Sequence, residues 1–334
     1  MNDIAFLFGN IYYLWHGAVI ALALAAALMV ALSLAGEIGV ARRDILIAVL
    51  IALPCGVVLS RLLYWWCSID KFSDRGAFSN LASGGYALYG AFAAVLISAA
   101  IVSLILRSVN FGALLDVFAL SGSIGICIGR LSAFFSIGED LGQIVENDAL
   151  HFFPYAVYDQ NVGEWLIAVF VFEALASGII FAVLSAIFCR IKGNPAHYQY
   201  RNGDFALLFL LYFGCSQAFL ESLRSDSLYF SFLGLVRVSQ VFSAIIIIVV
   251  LIIFSVRVFR TRTLKLWLCI PLCVVCVALL TVAFLTEFLL NSETLLRSYC
   301  IMSGCLLALA MIGTLFWRAS LRNNTVHYTE PSQK

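Results

Sequence analysis

The chain has 334 residues, of which 63% are hydrophobic and 12% are charged. Soluble globular domains are nearer half apolar and a quarter charged, so this composition argues against a soluble domain, a disordered chain and a nucleic-acid-binding protein. The net charge of +1 indicates no class of charged partner. These features predict an all-α polytopic integral membrane protein.

Nine apolar runs follow one another along the chain, and each approaches the roughly 20 residues that a helix needs to cross a bilayer. The first run lacks the basic segment and cleavage site of a signal peptide, so we expect it to be retained as a span. The predicted helices lie at 13–35, 45–66, 86–106, 113–135, 165–189, 205–220, 233–256, 266–290 and 299–317.

The distribution of charge predicts an orientation. With the N-terminus outside, most lysines and arginines fall in loops on the inside, as the positive-inside rule requires. Many of the acidic residues collect in one outside loop at 136–164. An odd number of spans then puts the C-terminus inside. We expect a loop of this length within a compact domain to be functional or mobile.

Arg130 directly follows Gly129 at the end of the fourth run, which also contains Gly122 and Gly125. Glycines at this spacing let a second backbone or a lipid approach closely. A charge at the edge of a span usually has a partner or a function. The alternative is that the Arg130 side chain snorkels to the outer interface.

Further arginines lie near the same predicted face of the membrane. Arg224 follows Glu221 at a spacing that allows an ion pair on a helix, and the alternative to a functional role is a weak pair at a helix end. Arg237, Gln240 and Ser243 open the seventh run as a polar stripe or as an interfacial cap. Because arginine suits bidentate phosphate contacts, the sequence suggests an outer-leaflet site for an anionic lipid headgroup.

Two other polar side chains are candidates for a site. Tyr89 follows Gly84 and Gly85 at the start of the third run, where composition favours an interfacial aromatic belt over a hydroxyl inside a cavity. His16 is the only histidine in or beside a predicted span, and a lone histidine is more often a satisfied polar residue than a ligand. Most of the ten cysteines lie in apolar runs, where they behave as small hydrophobes. No metal-ligand spacing is present, so we expect neither a metal nor a cofactor.

Three short motifs occur in a recognisable order. Residues 219–228 contain Glu221, Arg224 and Asp226 in the pattern Glu-x-x-Arg-x-Asp-Ser, and an Arg-x-x-Gln element follows at 237–240. Gly129-Arg130 precedes both. Together they resemble the signatures of the prolipoprotein diacylglyceryl transferase family, and the resemblance covers roughly residues 10–260.

The resemblance implies an architecture and an activity. Residues 1–260 would form a seven-helix transferase-like core, 261–318 two additional transmembrane helices, and 319–334 a cytoplasmic tail. The core would transfer a diacylglyceryl group from phosphatidylglycerol, or use another anionic lipid, to the lipobox cysteine of a prolipoprotein. The reaction would take place at the outer face of the bacterial cytoplasmic membrane. The extra helices could pack on the flank of the core, mediate assembly or hold a partner.

The resemblance also implies roles for individual residues. Arg130 and Arg224 would stabilise the departing phosphate. Tyr89 or His16 would take the proton of the acceptor thiol. The remaining site residues would orient these groups or bind the substrates, and they are Gly129, Glu139, Glu173, Glu221, Asp226, Arg237 and Gln240.

Some positions depart from the family pattern. Both asparagines that follow the family's Gly-Arg are absent here, which leaves Glu139 as the substitute for its glutamate. Gln217 stands where the family has an arginine. Tyr89 stands where many members have a histidine, so we hypothesise that His16 and Tyr89 have exchanged roles across one cavity. The alternative function is that of a non-catalytic or altered-substrate paralogue that binds anionic lipid or a membrane partner.

Overall fold

The computed structural model describes residues 4–8, 11–67, 85–107, 109–136, 140–193, 200–230, 236–261, 264–288 and 295–321. Within these ranges nine helices are long and apolar enough to cross a membrane, which confirms the predicted number of spans. We number them α1 (Trp15–Ile38), α2 (Arg42–Cys67), α3 (Leu88–Leu106), α4 (Phe111–Arg130), α5 (Val169–Gly193), α6 (Asp204–Leu223), α7 (Val238–Thr261), α8 (Leu266–Phe288) and α9 (Leu295–Leu321).

Local sequence explains where several helices begin and end. Gly39 ends α1 with a φ of 81°, and its N–H donates to the carbonyl of Ala35. The side chain of Asn110 caps the start of α4 by accepting from two backbone N–H groups. Beyond α4 the chain tightens into a 3₁₀ helix at Leu131–Phe135, which accounts for the length of the fourth apolar run.

The fifth helix begins later than predicted. Residues Glu164–Ile167 form a strand, β4, which pairs antiparallel with β3 at Ala156–Asp159, and α5 starts only at Val169. The apolar side chains of β4 run directly into those of α5, so hydropathy alone did not separate strand from helix. The loop at 136–164 therefore contains regular structure. A second hairpin, β1 (Ile4–Phe8) and β2 (Ile11–Leu14), precedes α1.

The helices pack in neighbouring pairs, chiefly α1 with α4, α2 with α3, α4 with α5, α6 with α7 and α8 with α9. A Cβ atom at Gly125 would lie 3.0 Å from the Cβ of Ala27, so the glycine allows the expected close approach of α4 to another helix. Large apolar side chains such as Leu50, Leu104 and Val274 are exposed on the outside of the bundle. That surface suits contact with lipid.

A buried polar network joins four helices at the end of the bundle where α4 and α6 begin. The Asp204 carboxylate accepts from Arg257 Nη1 at 2.5 Å and from Trp317 Nε1 at 3.1 Å. Asp116 accepts from the backbone N–H of Gly203 at 2.7 Å. Both carboxyl groups are buried, and these hydrogen bonds satisfy their oxygen atoms. We call this end of the bundle the Asp204 end.

The two C-terminal helices pack on the flank of the other seven, which is one of the positions that the sequence left open. Helix α9 contacts both α6 and α7, and α8 contacts α9 more extensively than α7. A Cβ atom at Gly313 would lie 2.4 Å from Leu211 Cδ2, so the glycine leaves room for this leucine where α9 approaches α6. The C-terminal pair is thus part of the packed bundle.

Candidate active site

Charged side chains from separate helix ends meet at the end of the bundle opposite Asp204, which we call the site end. Arg130 is the last residue of α4, Glu173 lies near the start of α5, and Arg224 directly follows α6. Asp140 lies in the loop between α4 and α5. Since successive helices run in alternating directions, these positions fall at the same end.

Arg130, Asp140, Glu173 and Arg224 form what we call the arginine–carboxylate cluster. Asp140 Oδ2 lies 2.8 Å from Arg130 Nη1, and its Oδ1 lies 2.5 Å from Arg224 Nη2. Glu173 Oε2 lies 3.0 Å from Arg130 Nε, and its Oε1 lies 3.8 Å from Arg224 Nη1. Each carboxylate is shared by both arginines. The snorkelling interpretation of Arg130 is therefore wrong, because its side chain turns towards these partners.

Glu173 is the buried member of the cluster, with only 2% of its side chain exposed. Removing a carboxylate from water is costly unless charges and hydrogen bonds compensate for it. The two arginines supply the charge, and Gln217 Nε2 donates to Glu173 Oε1 at 2.9 Å. Gln217 thus belongs to the site, although in the sequence it appeared only as a departure from the family pattern.

Asp140 is the more accessible carboxylate of the cluster. It adopts a φ of 55°, which aspartate tolerates better than most residues, and its N–H donates to Asp226 Oδ2 at 3.0 Å. Burial raises the pKa of the Asp140 carboxyl, but Arg130 and Arg224 outweigh burial and hold that pKa below its usual value of 3.8. Asp140 is therefore negatively charged at neutral pH.

Arg224 does not form the helical pair with Glu221 that its spacing suggested. The backbone leaves helical geometry at Arg224, with φ −77° and ψ 139°, and the side chain turns to Asp140, Glu173 and Asp226. Its Nε and Nη2 atoms each donate to the Asp226 carboxylate at 3.0 Å. Burial lowers the pKa of the Arg224 guanidinium, but the charges of Asp140 and Glu173 raise it by more than burial lowers it. Arg224 therefore stays charged.

The loop between α4 and α5 is joined directly to the residue that carries this guanidinium. Gly142 forms an antiparallel bridge with Arg224, and Ser225 N–H donates to the carbonyl of Leu141 at 3.0 Å. A Cβ atom at Gly142 would lie 2.8 Å from the carbonyl oxygen of Leu223. Only glycine fits this approach without displacement, so the loop and Arg224 are held in a fixed relation.

The polar stripe at the start of α7 faces other helices. Arg237 Nη1 donates to the carbonyl of Glu221 at 2.8 Å and lies 3.0 Å from Glu287 Oε1. Gln240 Nε2 donates to the carbonyl of Ala218 at 3.4 Å. Two of these three contacts are with the last turns of α6, so Arg237 and Gln240 connect α7 to the helix that leads into Arg224.

Tyr89 is not part of an interfacial belt. Its side chain is 8% exposed, its hydroxyl lies 2.5 Å from Ser243 Oγ, and its ring stacks on Phe242. The belt prediction was wrong because the ring points between α3 and α7 and away from the lipid-facing surface. His16 Nδ1 lies 2.7 Å from Ser136 Oγ and 3.2 Å from the carbonyl of Ser132. The exchange of roles between Tyr89 and His16 stays a hypothesis.

Two other predicted positions, Glu139 and Gly84, lie outside the described residues. Gly129 packs near α1, where a Cβ atom would lie 3.7 Å from that of Ala23. Asp140 belongs to the cluster, although the sequence motifs did not indicate it. Glu287 was also missed, although a single acid in an apolar run is a recognised signal of function.

Comparison of the sequence with known proteins identifies a family. The sequence pattern of prolipoprotein diacylglyceryl transferases matches residues 3–256. The chain belongs to this family. A phosphatidylglycerol–prolipoprotein diacylglyceryl transferase of Streptococcus suis is 31% identical over 263 residues, covering 77% of this chain and 92% of the relative. Enzymes of the same name from Finegoldia magna and Listeria monocytogenes are 29% and 28% identical over 249 and 252 residues, covering 74% of this chain and 92% and 87% of the relatives.

The family match contains all four members of the arginine–carboxylate cluster and Arg237, and it ends before α8. Among the described residues, no three His, Cys, Asp or Glu side chains are grouped so that they could hold a metal ion. The site end presents two guanidinium groups next to carboxylates. Such groups stabilise negative charge on a phosphate.

Proposed function

We propose that this membrane protein transfers the diacylglyceryl group of phosphatidylglycerol to the lipobox cysteine of a prolipoprotein. The names of its relatives support both substrates. The observation that carries the proposal is the convergence of Arg130 and Arg224 on shared carboxylates. Two separate surface ion pairs would have supported a structural role instead.

The phosphate of the lipid would bind where Asp140 now bridges the two guanidinium groups. A carboxylate and a phosphate present oxygens to arginine in the same bidentate geometry. Asp140 has 18% of its side chain exposed, against 2% for Glu173, so the accessible side of the cluster is the Asp140 side. Glu173 would remain in place and orient both arginines.

The acyl chains would lie against an apolar groove between α4 and α5. The groove has a volume of about 380 Å³ and is lined by residues that include Leu131 and Ala174. These residues directly follow Arg130 and Glu173 along the chain. A headgroup at the cluster would therefore place its hydrocarbon in an apolar surface that faces the bilayer.

The acceptor cysteine supplies the nucleophile. Its thiol loses a proton, and the sulfur attacks the glycerol carbon that carries the phosphate ester. A C–S bond forms, the C–O bond to phosphate breaks, and glycerol phosphate leaves with the bonding electrons. Arg130 and Arg224 would stabilise the charge that develops on the leaving group. We propose that His16 accepts the proton of the acceptor thiol. The His16 side chain is only half-buried, whereas the Tyr89 hydroxyl is buried against Ser243.

We further propose that the site end faces the outside of the bacterial cytoplasmic membrane. The predicted N-out, C-in orientation supports this placement, since it puts Arg190, Lys192 and Arg260 at the inner surface. Exported prolipoproteins would meet phosphatidylglycerol at the outer face. The orientation can be checked by comparing the labelling, by a membrane-impermeant thiol reagent, of the exposed Cys189 at the Asp204 end with that of a new cysteine in place of the exposed Asp148.

The decisive experiment is a transfer assay with the purified full chain, phosphatidylglycerol and a lipobox peptide. We expect a thioether-linked diacylglyceryl peptide, and Arg130→Lys and Arg224→Lys should each lower kcat about 100-fold by removing a bidentate donor. Arg190→Lys, on an exposed position at the Asp204 end, is the matched control. Saturable anionic-lipid binding without product would favour the non-catalytic alternative, and full activity of both cluster variants would refute the assigned roles.

A further inference from the structure

The C-terminal helix pair reaches the site end through two side chains. Glu287 lies at the end of α8 and Tyr299 near the start of α9, and both come after the last residue of the family match. Each contacts a residue or carbonyl group next to the arginine–carboxylate cluster. The pair is therefore in a position to affect the site as well as to pack on the core.

Glu287 holds Arg237 in place. Its Oε1 lies 3.0 Å from Arg237 Nη1, and these side chains are 17% and 14% exposed. The same Arg237 nitrogen donates to the carbonyl of Glu221 at 2.8 Å, and Arg237 Nε donates to the Tyr229 hydroxyl at 3.2 Å. A half-buried ion pair of this kind fixes the direction of the guanidinium group, and through it the contact with α6.

Tyr299 makes a second connection to the same turn. Its hydroxyl donates to the carbonyl of Ser222 at 3.3 Å and accepts from Gln143 Nε2 at 3.2 Å. Its ring packs edge-on against Phe219, with the centroids 6.2 Å apart. One side chain of α9 thus contacts both the last turn of α6 and the loop that carries Asp140.

These contacts occur where α6 needs partners. The last carbonyl groups of a helix have no acceptor role within the helix and must be satisfied from outside. Arg237 donates to the carbonyl of Glu221, and Tyr299 donates to the carbonyl of Ser222. The positive charge of Arg237 also interacts favourably with the negative end of the α6 dipole. Arg224 follows within three residues, so the direction of its side chain depends on how this turn is fixed.

We propose that the C-terminal helix pair positions the transferase site, with Glu287 and Tyr299 as positioning residues that fix the last turn of α6 and hence the guanidinium of Arg224. This inference rests on the proposed function for its kinetic readout. The pair stays attached to the core through other contacts, including Trp317 with Asp204 and Tyr212 with Thr314. Loss of the site-end contacts should therefore leave the bundle assembled.

The kinetic test compares Glu287→Gln, Tyr299→Phe and the double variant with the wild-type chain. Small displacements of a catalytic group cost up to about 100-fold in rate, so we expect kcat to fall about 10-fold in each single variant. KM for phosphatidylglycerol should change by less than about threefold, and Glu287→Asp should recover part of the loss. Thr314→Val removes a hydrogen bond of the same helix pair away from the site, and its kcat should equal that of the wild type.

A second readout does not depend on turnover. Hydrogen exchange of the full chain in phosphatidylcholine nanodiscs should show faster exchange at the amides of Arg224 and Ser225 in Glu287→Gln and Tyr299→Phe than in wild type and Thr314→Val. Unchanged exchange there, or wild-type kcat in both variants, would overturn the positioning role. If the wild type is inactive with phosphatidylglycerol, the proposed function fails, while the exchange result still decides the positioning role.

Discussion

Asp140 Oδ1 lies 2.5 Å from Arg224 Nη2, and a backbone bridge two residues further on ties Gly142 to the same arginine. Arg224 therefore interacts with the loop between α4 and α5 through both its side chain and its backbone. This double attachment makes Asp140 the carboxylate whose removal should most directly change the charge felt by an incoming phosphate.

Replacing Asp140 with asparagine should raise the affinity of the purified protein for glycerol phosphate several-fold. The change removes one negative charge from between two guanidinium groups that remain charged, and charge-assisted pairs of this kind are among the stronger polar contacts. Calorimetric titration would measure the affinity. Asp148→Asn is the control, since its side chain is 99% exposed and pairs with His151 outside the cluster. Equal affinities in the wild type, Asp140→Asn and Asp148→Asn would contradict the proposed position of the phosphate between the two arginines.

Thermal stability should fall in acid because of Asp140. A carboxyl whose pKa is lower in the folded than in the unfolded state stabilises the fold above its unfolded pKa, near 3.8, and loses that contribution as pH falls towards the folded pKa. The unfolding temperature, measured at several pH values between 3 and 7, should therefore fall once the pH is below about 4. Asp140→Asn should show a smaller drop, and an identical pH dependence would argue against this ion pair.

Gln217→Leu should destabilise the protein by about 1–3 kcal/mol, because it leaves the buried Glu173 carboxylate with one hydrogen bond fewer. We also expect a lower kcat, since Glu173 contacts both arginines. Ser216→Ala on the same helix removes only a hydroxyl that donates to the carbonyl of Phe213. Chemical denaturation and the transfer assay would compare them, and a Gln217→Leu protein that matches Ser216→Ala in both would exclude Gln217 from the site.

Gly142→Ala should lower both kcat and the unfolding temperature. The new methyl group would lie 2.8 Å from the carbonyl oxygen of Leu223 and 2.9 Å from Ile167 Cβ, so the loop between α4 and α5 must move away from Arg224. Gly122→Ala is the matched control, because nothing lies within 4 Å of its Cβ position in α4. That helical substitution should stabilise the protein by about 0.5–1 kcal/mol. A fully active Gly142→Ala protein would show that the loop tolerates displacement.

His16→Tyr tests the assignment of the thiol proton. If His16 accepts that proton, the substitution should lower kcat about 100-fold or more, whereas Tyr89→Phe should act mainly through the lost contact with Ser243. Transfer rates and unfolding temperatures of both variants would separate catalysis from stability. Full turnover in His16→Tyr would end both the assignment and the hypothesis that the two residues exchanged roles.

The sequence predicted the nine spans because each is a long apolar run, and it predicted a polar site because charges at the edges of spans are rare. It did not place the start of α5, since the apolar side chains of β4 continue into the helix without a break. It did not single out Asp140, because the place of this residue in the cluster depends on its left-handed backbone and on its approach to Arg224 from a distant part of the chain. Glu287 shows the same limitation, since its partner Arg237 becomes visible only when α8 is packed on the bundle.

The order of the site residues along the chain has a consequence for how the protein is made. Synthesis runs from the N-terminus, so Arg130, Glu173 and Arg224 enter the membrane well before Glu287 and Tyr299. Arg237 therefore has no contact with Glu287 until α8 has been inserted. A chain that terminates early, before α8, would contain every residue of the arginine–carboxylate cluster but would leave the end of α6 without the contacts from α8 and α9. The contacts that fix the end of α6 would therefore form only after both α8 and α9 have been inserted.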